Sequence, residues 1–229
     1  MREGVFRKAP QDERELLERA QILAGKSLSA VAHQLGRRIP PNLMGHKGWV
    51  GELLESALGA SAGSAPEPDF PAFGVELKTL PVTRDGRPRE STYVCTVPLI
   101  DNVGALWETS LVHRKLRRVL WVPIEAEPSI SLPVRRIGTA LLWSPSAQQD
   151  LCLRHDWEEL MDLICMGEFD QLRAHRGDCL QVRPKAANGR SLTEAIGPAG
   201  ERIQTLPRGF YLRPSFTAAI LREHFGIVT

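Results

Sequence analysis

The chain lacks the patterns that would assign it to several common protein classes. No run of 18 apolar residues occurs, so a membrane-spanning helix of ordinary length is excluded. The six histidines form no HExxH motif, and the four cysteines form no CxxC pair, so the familiar zinc motifs are missing. A phosphate-binding GxxxxGK(S/T) loop and a GxSxG nucleophile elbow are also absent. Nucleotide-binding proteins and hydrolases of the GxSxG type are therefore disfavoured.

Cysteine usage and the N-terminus both indicate a cytoplasmic protein. The cysteines are scattered along the chain, which favours reduced core residues over disulfides. Residues 1–10 lack the apolar segment of a signal peptide and carry three basic residues. We therefore expect residues 1–11 to form a flexible start and the cysteines to be free thiols. The cysteines concerned are Cys95, Cys152, Cys165 and Cys179.

Lysine is scarce, and charge is unevenly distributed. The chain has 6 lysines among 29 basic residues, and its formal net charge is only +2. Residues 146–170 contain seven acids and one arginine, whereas residues 171–229 contain nine basic residues and four acids. A basic C-terminal segment can present a positive surface to a phosphate backbone even when the whole chain is nearly neutral.

The most informative stretch runs from Pro68 to Lys78 and reads PDFPAFGVELK. Its second half alternates apolar and polar residues, which predicts a half-buried strand. On a strand, Glu76 and Lys78 share one face roughly 7 Å apart. Asp69 precedes them, beside prolines that favour a bend. Two carboxylates and an ammonium on one surface are the groups needed to hold Mg²⁺ against a phosphodiester and activate a water molecule.

This PD-(D/E)xK pattern has an ordinary alternative. A single Glu-x-Lys is about what chance produces in a chain of this composition, and an exposed strand with one ion pair would look the same. The preceding Pro-Asp favours a nuclease, but short motifs alone leave both interpretations open.

Hydrophobic periodicity predicts alternating helices and strands. The Asp85-Gly86 turn indicates an antiparallel hairpin between the first two strands. Glu55 falls just outside the apolar face of its helix, where it either leans into a cleft or is solvated. The acids of the helix predicted at 147–166 are expected to form a solvated face, with protein docking as the alternative. The predicted helices are 12–24, 27–35, 47–58, 147–166 and 215–225, and the predicted strands are 73–81, 92–97, 117–124, 179–183 and 208–213.

Longer blocks carry a family resemblance. The segments KGWVGELLESALGASAGSAPEPDFPAFGVELKTLPV, TYVCTVPL, KLRRVLWVPI, QVRPKAAN and LPRGFYL resemble the MutH family of DNA mismatch-repair endonucleases, over about residues 12–225. The resemblance implies an α/β restriction-endonuclease-like fold, a mixed sheet flanked by helices, with two arms around a DNA cleft. Residues 12–106 would form the N-terminal arm with the catalytic site. Residues 107–229 would form the C-terminal arm with the DNA-reading loops.

The resemblance also implies an activity. The protein would be a monomer that needs Mg²⁺ and nicks the unmethylated strand of hemimethylated GATC sites, 5′ to the G. Mn²⁺ or Ca²⁺ would also fit the site, with Ca²⁺ non-productive. MutL would activate the enzyme after MutS recognises a mismatch, and the helices at 147–166 and 215–225 are candidate MutL contacts. A dimeric GATC-specific restriction endonuclease that cuts both strands is the alternative.

The resemblance assigns roles by position. It implies that Asp69 and Glu76 bind the metal, that Lys78 is the catalytic lysine, and that Glu55 is an additional acid of the active site. Where family members usually have Phe, this chain has Tyr93. The residues expected to contact double-stranded DNA are Lys47, Tyr93, Lys115, Arg183, Lys185 and Tyr211.

Overall fold

The computed structural model describes residues 6, 8–43, 45–46, 48–63, 65–173, 175–185 and 191–226. The helices are α1 (Glu13–Leu23), α2 (Leu28–Gln34), α3 (Trp49–Leu58), α4 (Leu111–Leu116), α5 (Ala147–Cys165) and α6 (Pro214–Phe225). The strands are β1 (Glu76–Val82), β2 (Thr92–Thr96), β3 (Val119–Glu125), β4 (Leu141–Trp143), β5 (Leu180–Pro184), β6 (Thr193–Ile196), β7 (Arg202–Thr205) and β8 (Arg208–Leu212). No helix in these ranges is long and apolar enough to cross a membrane.

The chain folds into two compact units, each discontinuous in sequence. The first unit combines residues 1–89 with 115–144, and the second combines 90–114 with 145–229. The two units interleave along the chain, whereas the arms expected from the sequence meet at a single boundary after residue 106. The roles assigned to those arms stay predictions.

The first unit packs its N-terminal helices on a three-stranded sheet. Asp12 and Ser27 begin α1 and α2 with side-chain caps, and Gly59 ends α3 with a φ of 84° that a residue with a side chain rarely adopts. The strand order is β1-β3-β4, so β1 is an edge strand. β1 and β3 run parallel, with Glu76 opposite Val119. The largely apolar sequence of β3 suits a strand buried between layers.

The second unit contains a separate sheet covered by α5. Its order is β2-β8-β5, and both outer strands run antiparallel to β8. Tyr211 on β8 lies between Tyr93 on β2 and Gln181 on β5. The short strands β6 and β7 form an antiparallel pair of their own. These small mixed sheets flanked by helices confirm the predicted α/β fold class.

The predicted helices and strands are present, but the predicted hairpin is wrong. β1 and β2 belong to different sheets, because β1 takes the apolar strand β3 as its parallel partner. The turn after β1 closes only locally, where the Arg89 amide donates to the Pro81 carbonyl. Turn chemistry at Gly86 therefore predicted the bend correctly but not the pairing of the strands that follow it.

The expectation of four free cysteines is also wrong. Cys152 on α5 and Cys179 just before β5 form a disulfide with a Cα–Cα distance of 6.4 Å. Cys95 and Cys165 do not take part in a disulfide. The packing of α5 against the start of β5 brings together two residues that are 27 positions apart. No local spacing indicates such a contact.

Candidate active site

The edge strand β1 carries the central ion pair. Lys78 Nζ lies 2.5 Å from Glu76 Oε1, and the Glu76 carboxylate is only 2% exposed. The two side chains leave the strand two residues apart and on the same face, as the alternating pattern predicted. Because an unpaired buried carboxylate is costly, the contact with the Lys78 ammonium compensates the burial of Glu76.

A second ammonium reaches the same carboxylate from α4. Lys115 Nζ lies 3.0 Å from Glu76 Oε1 and 2.9 Å from Oε2, and it also donates to the Glu67 carbonyl at 3.2 Å. Both oxygens of Glu76 are therefore occupied by lysine donors. Lys115 was predicted as a DNA-binding residue, and the structure places it beside the predicted catalytic residues.

A tight turn delivers Asp69 to β1. Phe70 and Val75 form an isolated antiparallel bridge, and Gly74 between them has a φ of 69°. Asp69 Oδ2 accepts a 2.8 Å hydrogen bond from the Leu77 amide. The neighbouring Glu76 amide donates to the β3 side, so the Leu77 amide faces away from the sheet, and Asp69 satisfies that edge donor. This contact fixes the first predicted metal ligand next to the second.

The acids of this site repel one another. Burial raises the pKa of Glu55 on α3, with further contributions from the charges of Asp69, Glu52 and Glu76. Burial also raises the pKa of Asp69, and the charge of Glu76 raises it further. Glu55 therefore lies within electrostatic range of the other two acids rather than on a purely solvated face. A divalent cation would relieve this repulsion, and carboxylate oxygens are the donors that Mg²⁺ prefers. The donor set fits such a cation.

A different group of residues comes closest to metal-ligand spacing. Within the described part of the chain, Cys152, Asp156 and Cys179 place one ligand atom each within 4.8 Å of one another, and the three acids of the candidate active site do not form such a group. However, the two sulfurs are bonded to each other, and Asp156 accepts backbone N–H groups with both oxygens. We therefore interpret this group as structural and keep the acids beside β1 as the metal candidates.

The predicted base-reading residues gather on the sheet of the second unit. The Tyr93 and Tyr211 rings meet edge to face with centroids 5.4 Å apart. Lys185 Nζ lies 3.1 Å from the Tyr93 ring centroid, and the Arg183 guanidinium carbon lies 5.9 Å from that of Tyr211. Burial raises the pKa of the Tyr211 phenol. Two aromatic rings with a cation over each form one compact cluster, which we call the tyrosine cluster.

Sequence reasoning missed a residue on which this cluster depends. A Cβ at Gly209 would lie 2.9 Å from Tyr93 Cε2 and 3.0 Å from Tyr211 Cε2, closer than side-chain atoms normally approach. Glycine at this position therefore lets the two rings close over β8. A glycine directly before two aromatic residues in a strand was the available signal, because a glycine inside a strand often marks a close approach. Thr96 adds a 2.9 Å hydrogen bond to the Tyr93 hydroxyl, which the usual Phe would lack.

Comparisons with known proteins agree with one family. A family model described as "DNA mismatch repair enzyme MutH" matches residues 58–156. The "DNA mismatch repair protein MutH" of Escherichia coli O6:K15:H31 (strain 536 / UPEC) is 57% identical over 218 residues, which is 95% of each chain. The protein of the same name from E. coli K12 has the same identity and coverage. The chain belongs to the MutH family. Membership confirms the resemblance found in the sequence.

MutH membership also confirms the restriction-endonuclease-like fold class and the enzyme class, a DNA mismatch-repair endonuclease. The roles of individual residues stay predictions. The structure brings Glu55, Asp69, Glu76, Lys78 and Lys115 together in the first unit, and it gathers the tyrosine cluster in the second. Lys47 and residues 186–190, which directly follow the predicted DNA contact Lys185, lie outside the described residues.

Proposed function

We propose that this MutH-family protein is a Mg²⁺-dependent endonuclease that nicks the unmethylated strand of hemimethylated GATC sites, 5′ to the G. It acts as a monomer, and MutL activates it after MutS has recognised a mismatch. The observation that carries the proposal is the meeting of Asp69, Glu76 and Lys78 at one edge strand, with Glu55 in electrostatic range. Burial raises the pKa of Glu55 and of Asp69 beside these lysines, and perturbed acids clustered in this way are typical of functional sites.

The residues divide the work of hydrolysis among them. A bound Mg²⁺ would neutralise charge on the scissile phosphate and lower the pKa of a coordinated water. Asp69 and Glu76 would hold the cation, and the Leu77 amide keeps Asp69 in position. Lys78 Nζ donates to Glu76, and from there it would orient the water or stabilise developing charge. Glu55 would complete the metal site from α3 or accept a hydrogen bond from the water.

The tyrosine cluster supports recognition of GATC and of adenine methylation. Arginine and lysine pair with guanine edges and phosphates, and an aromatic ring supplies an apolar surface that a methyl group can touch. A single methyl group contributes only about 1–3 kcal/mol in a good pocket. We therefore propose that Tyr211 senses the adenine N6 edge, while Arg183 and Lys185 hold the register on the site.

MutL would bind the acidic surface of α5 or the C-terminal helix α6. Glu158 and Asp162 on α5 are exposed, and Arg154 pairs with Glu158 at 2.7 Å and with Glu108 at 3.0 Å. An exposed ion pair contributes little stability, so these side chains are free to exchange partners at an interface. Exposed acids on α5 are the feature that supports this assignment.

A strand-resolved cleavage assay tests the proposal. Hemimethylated GATC plasmid is incubated with the protein, Mg²⁺ and MutL, and each strand carries its own label. We expect nicked circles cut only in the unmethylated strand. Glu76→Gln should abolish nicking while GATC binding persists, and Glu18→Gln, an exposed acid on α1, serves as the matched control with normal activity. Plasmid that stays supercoiled would refute the proposal, and linear product would support the dimeric restriction enzyme instead.

A further inference from the structure

The lysine contacts of Glu76 are unequal. Lys78 donates to one oxygen at 2.5 Å, whereas Lys115 spans both oxygens at 3.0 and 2.9 Å. Lys115 also donates to the Glu67 carbonyl. Its ammonium thus contacts three oxygens, two from a carboxylate and one from the backbone. Oxygen donors of this kind are the ligands that a hard divalent cation takes.

We propose that Lys115 is a counter-ion that occupies the metal-binding side of Glu76 in the metal-free enzyme and is released to a DNA backbone phosphate when the divalent cation binds. The inference rests on the proposed metal-dependent function and goes beyond it, because it has Lys115 compete with the cation for Glu76 and then bind a phosphate. The positions of the carboxylate oxygens support the inference. The oxygens of Glu76 contact two lysines, and they do not lie within metal-ligand distance of those of Asp69 and Glu55.

Charge explains why the exchange is required. A dication bound to Glu76 would lie against the Lys115 ammonium, and like charges at contact distance repel strongly where water is largely excluded. Without a cation, however, Glu76 is buried and needs its positive partners. Lys115 therefore stabilises the metal-free state and opposes metal binding. Lys78 lies on the same strand and contacts a single oxygen, so it can remain while Lys115 leaves.

The first test measures Mn²⁺ affinity by isothermal titration on the full-length protein without DNA. Lys115→Gln keeps a hydrogen-bond donor for Glu76 but removes the charge, and we expect it to bind Mn²⁺ about tenfold more tightly than the wild type. Lys115→Arg keeps the charge and should bind no more tightly than the wild type. Lys8→Met removes an exposed lysine of the same unit and should leave the affinity unchanged.

Thermal unfolding provides a second readout that a purely structural role would not produce. Metal-free Lys115→Gln should melt below the wild type, because Glu76 loses a charged partner. Saturating Mn²⁺ should then raise its melting temperature by more than it raises that of the wild type, since tighter binding to the folded state stabilises more. Equal or weaker Mn²⁺ binding by Lys115→Gln would overturn the inference.

DNA binding with and without metal tests the release of Lys115 to a phosphate. With Ca²⁺ present, Lys115→Gln should bind GATC DNA more weakly, and its salt dependence should be shallower by about one phosphate contact. Without metal, the variant should bind DNA like the wild type, because Lys115 is then held by Glu76. A loss of DNA affinity that is equal with and without metal would refute the exchange. Failure of the proposed metal site itself is distinguishable, because Glu76→Gln would then bind Mn²⁺ as tightly as the wild type.

Discussion

Asp156→Ala should destabilise the second unit far more than its position on an acidic helix suggests. The Asp156 carboxylate is 3% exposed and accepts backbone N–H groups from Asp178, Cys179 and Leu180 at 3.0, 2.7 and 2.8 Å. These bonds hold the start of β5, the strand that carries Arg183. The alanine variant would leave three donors without their charged acceptor.

The magnitude follows from the number of bonds. A hydrogen bond to a charged group contributes about 1.5–3 kcal/mol, and water admitted to the gap recovers part of the loss. For three bonds we expect a decrease in unfolding free energy of about 4 kcal/mol. Asp156→Asn should lose about half as much, because one of its two oxygens is replaced by a donor that cannot accept these bonds.

Urea unfolding of the oxidised protein measures this effect, with Asp162→Ala on the exposed face of α5 as the control. The control should stay within about 0.5 kcal/mol of the wild type. GATC binding by Asp156→Ala should fall, because β5 loses its anchor, whereas Mn²⁺ binding in the first unit should persist. A stability for Asp156→Ala indistinguishable from that of the control would refute the reasoning.

Further predictions concern other parts of the molecule. Gly209→Ala should push the two tyrosine rings apart by a few tenths of an ångström and reduce preference for GATC over other DNA about tenfold in competition binding, with Mn²⁺ affinity unchanged; an unaltered preference would remove the cluster from recognition. Glu55→Gln should raise the melting temperature of the metal-free protein at pH 7. Folding raises the pKa of Glu55, so the wild-type protein loses stability as the pH rises through that pKa, and glutamine has no charge to cause this loss. The gain should vanish below about pH 4, where the wild-type carboxyl is protonated in both states, and a gain that persists there would contradict the electrostatic cause. Cys152→Ser should lower the urea midpoint of the oxidised protein but not that of protein held in dithiothreitol. A variant with the same midpoint as the wild type in both conditions would argue against a disulfide in solution.

The strand that carries Glu76 and Lys78 was predictable because the pattern that identifies it lies within a few residues. Alternation placed Glu76 and Lys78 on one face, and the Pro-Asp bend before them placed Asp69 nearby. The helices were also local, since capping residues such as Asp12 and Ser27 and apolar periodicity act within a few residues. In these segments, the sequence pattern predicts the observed helix or strand because both depend on residues only a few positions apart.

The remaining features depend on contacts between distant segments. Nothing near Lys115 indicates that it reaches Glu76, 39 residues earlier. Asp156 follows the polar pattern of an exposed helix face, yet its carboxylate is buried under the turn before β5. Strand partners and the disulfide are likewise set by packing across the unit. Periodicity identifies which face of an element is polar, but not which of its polar groups a neighbouring segment will cover.

The position of a bound divalent cation decides whether Asp69 and Glu76 form a metal site. Crystals of the metal-free protein soaked in Mn²⁺ would reveal the ion by its anomalous scattering. We expect a peak with carboxylate oxygens of both Asp69 and Glu76 within about 2.6 Å, and with Lys115 Nζ withdrawn from Glu76. A peak that contacts neither acid, or crystals in which the lysine contacts of Glu76 persist at saturating Mn²⁺ with no ion beside them, would contradict this expectation.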